Sequence, residues 1–132
     1  MPPEPTQAAP AEARCVLVVE DDDGVRRSLE LMLGGRGFRV RAYGAAEPLL
    51  ADPLADVVAL LVSDYRLPGM DGLAMIRALR ERGWRGRAVL VTASMAPGLH
   101  DRALAAGFDV VLEKPMRPHA LIAALEGAGD SG

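Results

Sequence analysis

Three carboxylates, a hydroxyl and an ammonium stand where the apolar runs of this chain end. Glu20 and Asp21 follow Val-Leu-Val-Val at 16–19, and Asp64 follows Val-Val-Ala-Leu-Leu-Val-Ser at 57–63. Thr92 follows Ala-Val-Leu-Val at 88–91, and Lys114-Pro115 follows Val-Val-Leu-Glu at 110–113. Mg2+ takes oxygen ligands in octahedral geometry and keeps several waters. Asp21 and Asp64 can bind it directly, Glu20 directly or through water, and Mn2+ suits the same oxygens. Without an ion, two unit charges about 4 Å apart cost roughly 4 kcal/mol at an effective dielectric of 20. An aspartate can also attack phosphorus and form an aspartyl phosphate. Asp64, alone behind its run, is the candidate nucleophile. The Lys114 ammonium, the Thr92 hydroxyl and the backbone N–H beside the small Ala93 can neutralise the transferred oxygens. Residue type and placement point to metal-assisted phosphoryl transfer.

The elements that must position these groups follow from the same runs. Short stretches rich in Val and Leu, bounded by turn residues, predict fully buried strands of a parallel sheet. Such sheets gather ligands outside the carboxyl ends of their strands. Strand-like and helix-like stretches alternate five times, so helices should cover both faces. The first helix should be capped by Asp22 or Asp23, with Val25, Leu29, Met32 and Leu33 inward. Arg26 and Glu30 are expected outside, with Gly34, Gly35 and Gly37 ending the helix. Residues 38–42 alternate apolar and polar, which predicts an edge strand with one wet face. Further helices are expected at about 45–51, at 72–82 with Leu73, Ile76 and Leu79 inward, within 96–106, and from Pro118 with Leu121, Ile122 and Leu125 inward.

Bulk properties narrow the class. The 132 residues suffice for one cored domain, and half are hydrophobic. A net charge of −3 offers no general basic field, so direct DNA binding is not expected. One cysteine, Cys15, cannot form an internal disulfide, and no apolar run approaches the roughly 18 residues of a membrane span. A cytoplasmic protein without membrane contact is the expectation. Residues 1–13 are Pro- and Ala-rich and read as a flexible leader, 14–126 as the folded domain, and 127–132 as a frayed tail.

Taken together, the motifs resemble the receiver domain of two-component response regulators over about residues 15–125. Glu20-Asp21-Asp22 resembles its acidic pair, and Asp64-Tyr65-Arg66-Leu67-Pro68-Gly69-Met70-Asp71-Gly72 its phosphoacceptor loop. Val91-Thr92-Ala93 and Glu113-Lys114-Pro115 resemble its switch hydroxyl and its Lys-Pro. The resemblance implies a flavodoxin-like (βα)5 fold, an α/β three-layer sandwich with strand order 2-1-3-4-5. It implies phosphorylation of Asp64 by a histidine kinase or phosphotransfer protein. Mg2+ would be held by Glu20, Asp21, Asp64 and the carbonyl of Arg66, with Thr92 and Lys114 on the phosphoryl group. The Lys114-Pro115 bond would be cis. Output would pass by contact to a downstream protein.

Two departures bear on switching. Val111 stands where the family usually has Tyr or Phe, and a β-branched side chain cannot act as a large rotating ring. Pro97-Gly98 falls where the fourth helix should begin, so the loop 94–99 is expected to serve as the lever instead. Arg66 and Ser94, each two residues past a site residue, flank the path of an attacking water and should set phosphoryl lifetime.

Other classes fit less well. Aspartate-nucleophile phosphatases need a second aspartate two residues after the first, where this chain has Arg66. A dinucleotide-binding turn needs glycines where Glu20-Asp21-Asp22-Asp23 stands. A hybrid-kinase module, or a degenerate receiver that binds without phosphorylation, are the nearer alternatives. The Met1 start and Pro-rich leader favour a complete short protein. Arg77, Arg80, Arg82, Arg85 and Arg87 around Trp84 read as a solvated face, with a surface for an acidic partner as the alternative. His100 and His119 need no catalytic role.

Overall fold

The computed structural model describes residues 14–93 and 95–127. The leader at 1–13, Ser94 and residues 128–132 lie outside the described residues. Five strands, β1 (Cys15–Val19), β2 (Arg39–Tyr43), β3 (Leu60–Ser63), β4 (Arg87–Thr92) and β5 (Val110–Glu113), form one parallel sheet in the order β2-β1-β3-β4-β5. Helices α1 (Asp23–Gly35), α2 (Ala46–Leu50), α3 (Gly72–Glu81), α4 (Leu99–Ala106) and α5 (Pro118–Glu126) connect and cover it. A 3-10 helix, Pro53–Val57, precedes β3.

Strand alternation sends successive residues to opposite layers. Leu17, Val19, Leu61, Ala88 and Leu90 pack with Leu49, Ile76, Leu79 and Leu99 beneath α2, α3 and α4. Val16, Val18, Val62, Val89 and Val91 pack with Leu29, Leu33, Leu121 and Leu125 beneath α1 and α5. Two cores of aliphatic side chains thus clamp the sheet, and removal of this apolar area from water is the main force holding the domain.

Local chemistry sets the helix starts. Asp22 Oδ1 accepts from Val25 N at 3.0 Å, and Asp71 Oδ1 accepts from Ala74 N at 2.9 Å. Each satisfies a donor that the first helical turn leaves open. Pro118 occupies the first turn of α5. Gly127, expected in the tail, is the C-cap of α5 in the left-handed conformation at φ 75.

Four expectations need correction. Residues 57–59 are not strand: Asp52 caps the 3-10 helix through Leu54 N, and Val57 is 78% exposed. β3 therefore begins only at Leu60. β5 is a second edge strand, with Val110, Val111 and Leu112 each half-covered rather than fully buried. Val25 is exposed at 37%, so the inward stripe of α1 is carried by Leu29 and Leu33, with Met32 beside them. Arg26 does not face outward beside Glu30: it pairs with Asp23 and donates to the Glu20 carbonyl.

The arginines around Trp84 do structural work. Trp84 is buried, and its indole N–H donates to Val58 O at 2.8 Å. Arg80 stacks over its ring and donates to Gly107 O and Gly86 O. Arg82 pairs with Asp56, and Arg87 donates to Ala124 O. Arg77 and Arg85 remain exposed, as do His100 and His119.

Candidate functional site

Sheet order brings the strand-end residues together. β1 and β3 are neighbours with Val19 opposite Ser63, so the next residues, Glu20 and Asp64, leave the sheet side by side. Asp64 N donates to Val19 O at 3.1 Å and fixes that register. Even-numbered residues of β1, β3 and β5 face the layer of α1 and α5, as Val18, Val62 and Leu112 do. Glu20, Asp64 and Lys114 continue those three series. Thr92 continues the series of Ala88 and Leu90, which packs against the other layer, where Val111 also lies.

Lys114 reaches across β4 to both carboxylates. Its Nζ donates to Glu20 Oε1 at 2.9 Å and to Asp64 Oδ2 at 3.1 Å. The other Asp64 oxygen accepts from Tyr65 N at 2.6 Å, and Glu20 Oε2 accepts from Asp22 N at 3.2 Å. Glu20 is 3% exposed, and burial pushes its carboxyl above the usual range, with the Lys114 bond pulling the other way. Burial alone would depress the Lys114 ammonium; its bonds to Glu20 and Asp64 outweigh that and raise it. The ammonium is therefore held charged between two acids.

Asp21 is exposed beside them. One oxygen from each of Glu20, Asp21 and Asp64 lies within 4.8 Å of the others. Mg2+ ligands stand roughly 3 Å apart when adjacent and roughly 4.2 Å apart when opposite, so the trio is near enough to converge on one ion. The open side at Asp21 leaves room for the waters that Mg2+ keeps. Oxygen-only donors match a hard cation such as Mg2+ or Mn2+.

The remaining expected residues lie at the end of β4 and on the loops that follow β3 and β5. Thr92 is buried at the end of β4, and its carbonyl accepts from Lys114 N at 2.9 Å. Ala93 is exposed just beyond it. Arg66 is exposed on the loop after Asp64, two residues past it. The Lys114-Pro115 peptide is cis. Gly72 packs so closely that a Cβ would collide with the Asp64 carbonyl oxygen. Pro97-Gly98 form a turn, Gly98 has φ 81, and α4 begins only at Leu99.

Two neighbours escaped the sequence reading. Arg26 Nη1 donates to Glu20 O at 2.8 Å, which ties α1 to the acidic corner. Its spacing of three from Asp23 was the available clue. An apolar groove of about 540 Å3 lies between α1 and the start of α5, lined by Leu29, Met32, Ala93, Lys114, Pro115 and Met116 among others. Its walls come from segments distant in sequence, so no single motif marks it.

Comparison with known proteins bears on the family and the fold. The model of the response regulator receiver domain matches residues 16–126. Nodulation protein W of Bradyrhizobium diazoefficiens is 34% identical over 113 residues, 86% of this chain and 50% of that protein. The transcriptional regulatory protein FixJ of Azorhizobium caulinodans is 32% identical over 117 residues, 89% of this chain and 56% of that protein. The chain thus spans about half the length of these curated relatives. The solved structure of FixJ-N superimposes with a TM-score of 0.79 at 31% identity, covering 88% of this chain and 93% of that one. Chemotaxis protein CheY4 of Vibrio cholerae shares the fold, with a TM-score of 0.79 at 23% identity over 86% of this chain and 96% of that one.

Proposed function

The chain belongs to the response regulator receiver family of two-component signalling, and from that premise we propose that it is a phosphoacceptor phosphorylated on Asp64 in a Mg2+-dependent reaction. The family is one of signalling domains rather than turnover enzymes. The observation that carries the reading is the position of Asp64: hydrogen-bonded to Lys114 at 3.1 Å and clustered with Glu20 and Asp21.

An Asp64 carboxylate oxygen attacks phosphorus and forms an acyl phosphate. The bond from phosphorus to the donor's imidazole nitrogen breaks, and that nitrogen keeps the electron pair and takes up a proton. Lys114 already stands at Asp64 and supplies positive charge to the incoming oxygens, while Thr92 and the Ala93 N–H donate at the end of β4. Glu20, Asp21, Asp64 and the Arg66 carbonyl are the residues to hold Mg2+, which supplies charge neutralisation on the transferred group. The donor is a histidine kinase or phosphotransfer protein. The apolar groove beside Lys114 gives that donor a surface to bury next to Asp64. Output passes to a further protein by contact, without direct DNA binding by this domain. No described helix is long and apolar enough to cross a membrane.

Incubation with acetyl phosphate and Mg2+ tests the reading. Intact-mass spectrometry should show one phosphoryl adduct, absent in Asp64→Asn and absent with chelator. A folded wild-type protein that gains no adduct would instead be a receiver that acts by binding alone.

A further inference from the structure

Glu47 lies in the first turn of α2, away from the acidic trio. Its Oε2 accepts a hydrogen bond from Met70 N at 3.3 Å. Gly69, with φ +76, comes so near that a Cβ there would stand 2.8 Å from the same oxygen. Both residues belong to the loop between β3 and α3, which also carries Arg66. The ends of that loop are held locally. Tyr65 N binds Asp64 Oδ1, Tyr65 O accepts from Gly72 N, and Asp71 caps α3. Among the described residues, Glu47 is the one side chain of another element hydrogen-bonded within 66–71.

We propose that Glu47 is a positioning residue whose carboxylate pins the loop 66–71 to α2 and thereby sets the site's affinity for a divalent cation. The inference rests on the reading of Glu20, Asp21, Asp64 and the Arg66 carbonyl as the cation's ligands. α2 is a suitable anchor because it follows β2, and Tyr43 at the end of β2 accepts from Glu20 N at 3.0 Å. The acidic pair and the loop are thereby referenced to one strand from two sides. A carbonyl ligand on an unpinned loop must lose conformational freedom when the ion binds, and that cost weakens binding. Gly69, which has no Cβ, allows the side-chain oxygen of Glu47 to approach the loop closely.

Glu47→Ala and Glu47→Gln separate the pin from general packing, because Gln keeps an acceptor oxygen at the same reach. Mg2+ affinity is read by calorimetry on the unphosphorylated full chain, and amide hydrogen exchange on the metal-free protein. Glu47→Ala should weaken Mg2+ severalfold, through the ordering cost the freed loop then carries, and speed exchange within 66–71. Glu47→Gln should restore most of both. Unchanged Mg2+ affinity or unchanged exchange in Glu47→Ala overturns the proposal, as does a Gln variant as weak as Ala. Wild-type protein that takes up no Mg2+ overturns the cation reading itself, and the exchange data then still report whether the pin exists.

Discussion

Lys114 Nζ lies 3.1 Å from Asp64 Oδ2, and the two residues follow the ends of strands separated by β4. The ammonium spans that strand and also holds Glu20 at 2.9 Å. One cation therefore offsets two acids, one of them buried. Lys114→Met keeps much of the apolar stem and removes the charge. The metal-free variant should lose about 2 kcal/mol of stability, the cost of leaving a part-buried acid without its partner. Mg2+ should raise its melting temperature more than that of the wild type, since the ion relieves the same repulsion. Calorimetric melting with and without Mg2+ measures both. Equal Mg2+ shifts in the two proteins would contradict the shared role.

Arg66 stands two residues past Asp64 with its side chain exposed. On the proposed reading, that side chain would flank the approach of water to a phosphorylated Asp64. Arg66→Ala should change the decay rate of the phosphoryl group severalfold and the loading rate less. Following the adduct after removal of acetyl phosphate gives the answer, and an unaltered decay rate counts against the role.

Gly72 tolerates no side chain because the Asp64 carbonyl occupies the space a Cβ needs. Backbone atoms cannot swing aside as a side chain does. Gly72→Ala should destabilise the domain by about 2 kcal/mol and displace the loop that carries Asp64. Urea unfolding gives the stability. Wild-type stability would mean that the α3 start shifts freely.

Asp52 Oδ2 accepts from Tyr43 Oη at 2.6 Å and from Arg41 Nη2 at 2.8 Å, and Oδ1 accepts from Leu54 N. The Tyr43 bond first, then Arg41 and Leu54, hold its carboxyl down to about 2 from 3.8. A group depressed on folding contributes its stability above the unfolded value and loses it as pH falls through the folded one. Asp52→Asn should therefore melt below the wild type at neutral pH, with the gap closing between 3.8 and about 2. A gap that stays constant through that window refutes the assignment.

Val111 packs partly buried on the same layer as Thr92 and offers no aromatic ring to rotate. The turn at Pro97-Gly98 leaves residues 95–98 exposed ahead of the buried Leu99. With beryllofluoride and Mg2+, amide resonances of 95–99 should move by more than those of α5. Resonances of that loop unmoved by the mimic would leave the lever elsewhere.

Much of this fold was legible in the order of residues. Asp22 could be recognised as a cap by type and place, and residues 38–42 as an edge strand by their alternation. The misread positions share a cause. Residues 57–59 are as apolar as a strand, yet Asp52 and Pro53 wind the preceding segment into a 3-10 helix, and Trp84 takes the Val58 carbonyl. β5 is as apolar as a central strand but is left at the sheet edge, where no strand covers its far side. Arg80, Arg82 and Arg87 looked like a solvated face because the carbonyls of Gly107, Leu50 and Ala124 that they bind are distant in sequence.

The sequence by itself determined which groups stand at the ends of strands, because apolar runs stop at turn residues and side chains alternate with a period of two. It thereby placed Glu20, Asp21, Asp64, Thr92 and Lys114 at one rim. Only the tertiary structure decided who touches whom there. Strand order and register depend on packing between distant segments, and a slip of one residue sends every side chain to the opposite layer. That register puts Lys114 on the carboxylates, leaves Thr92 on the layer of Val111, and brings Glu47 of α2 against the loop that carries Arg66.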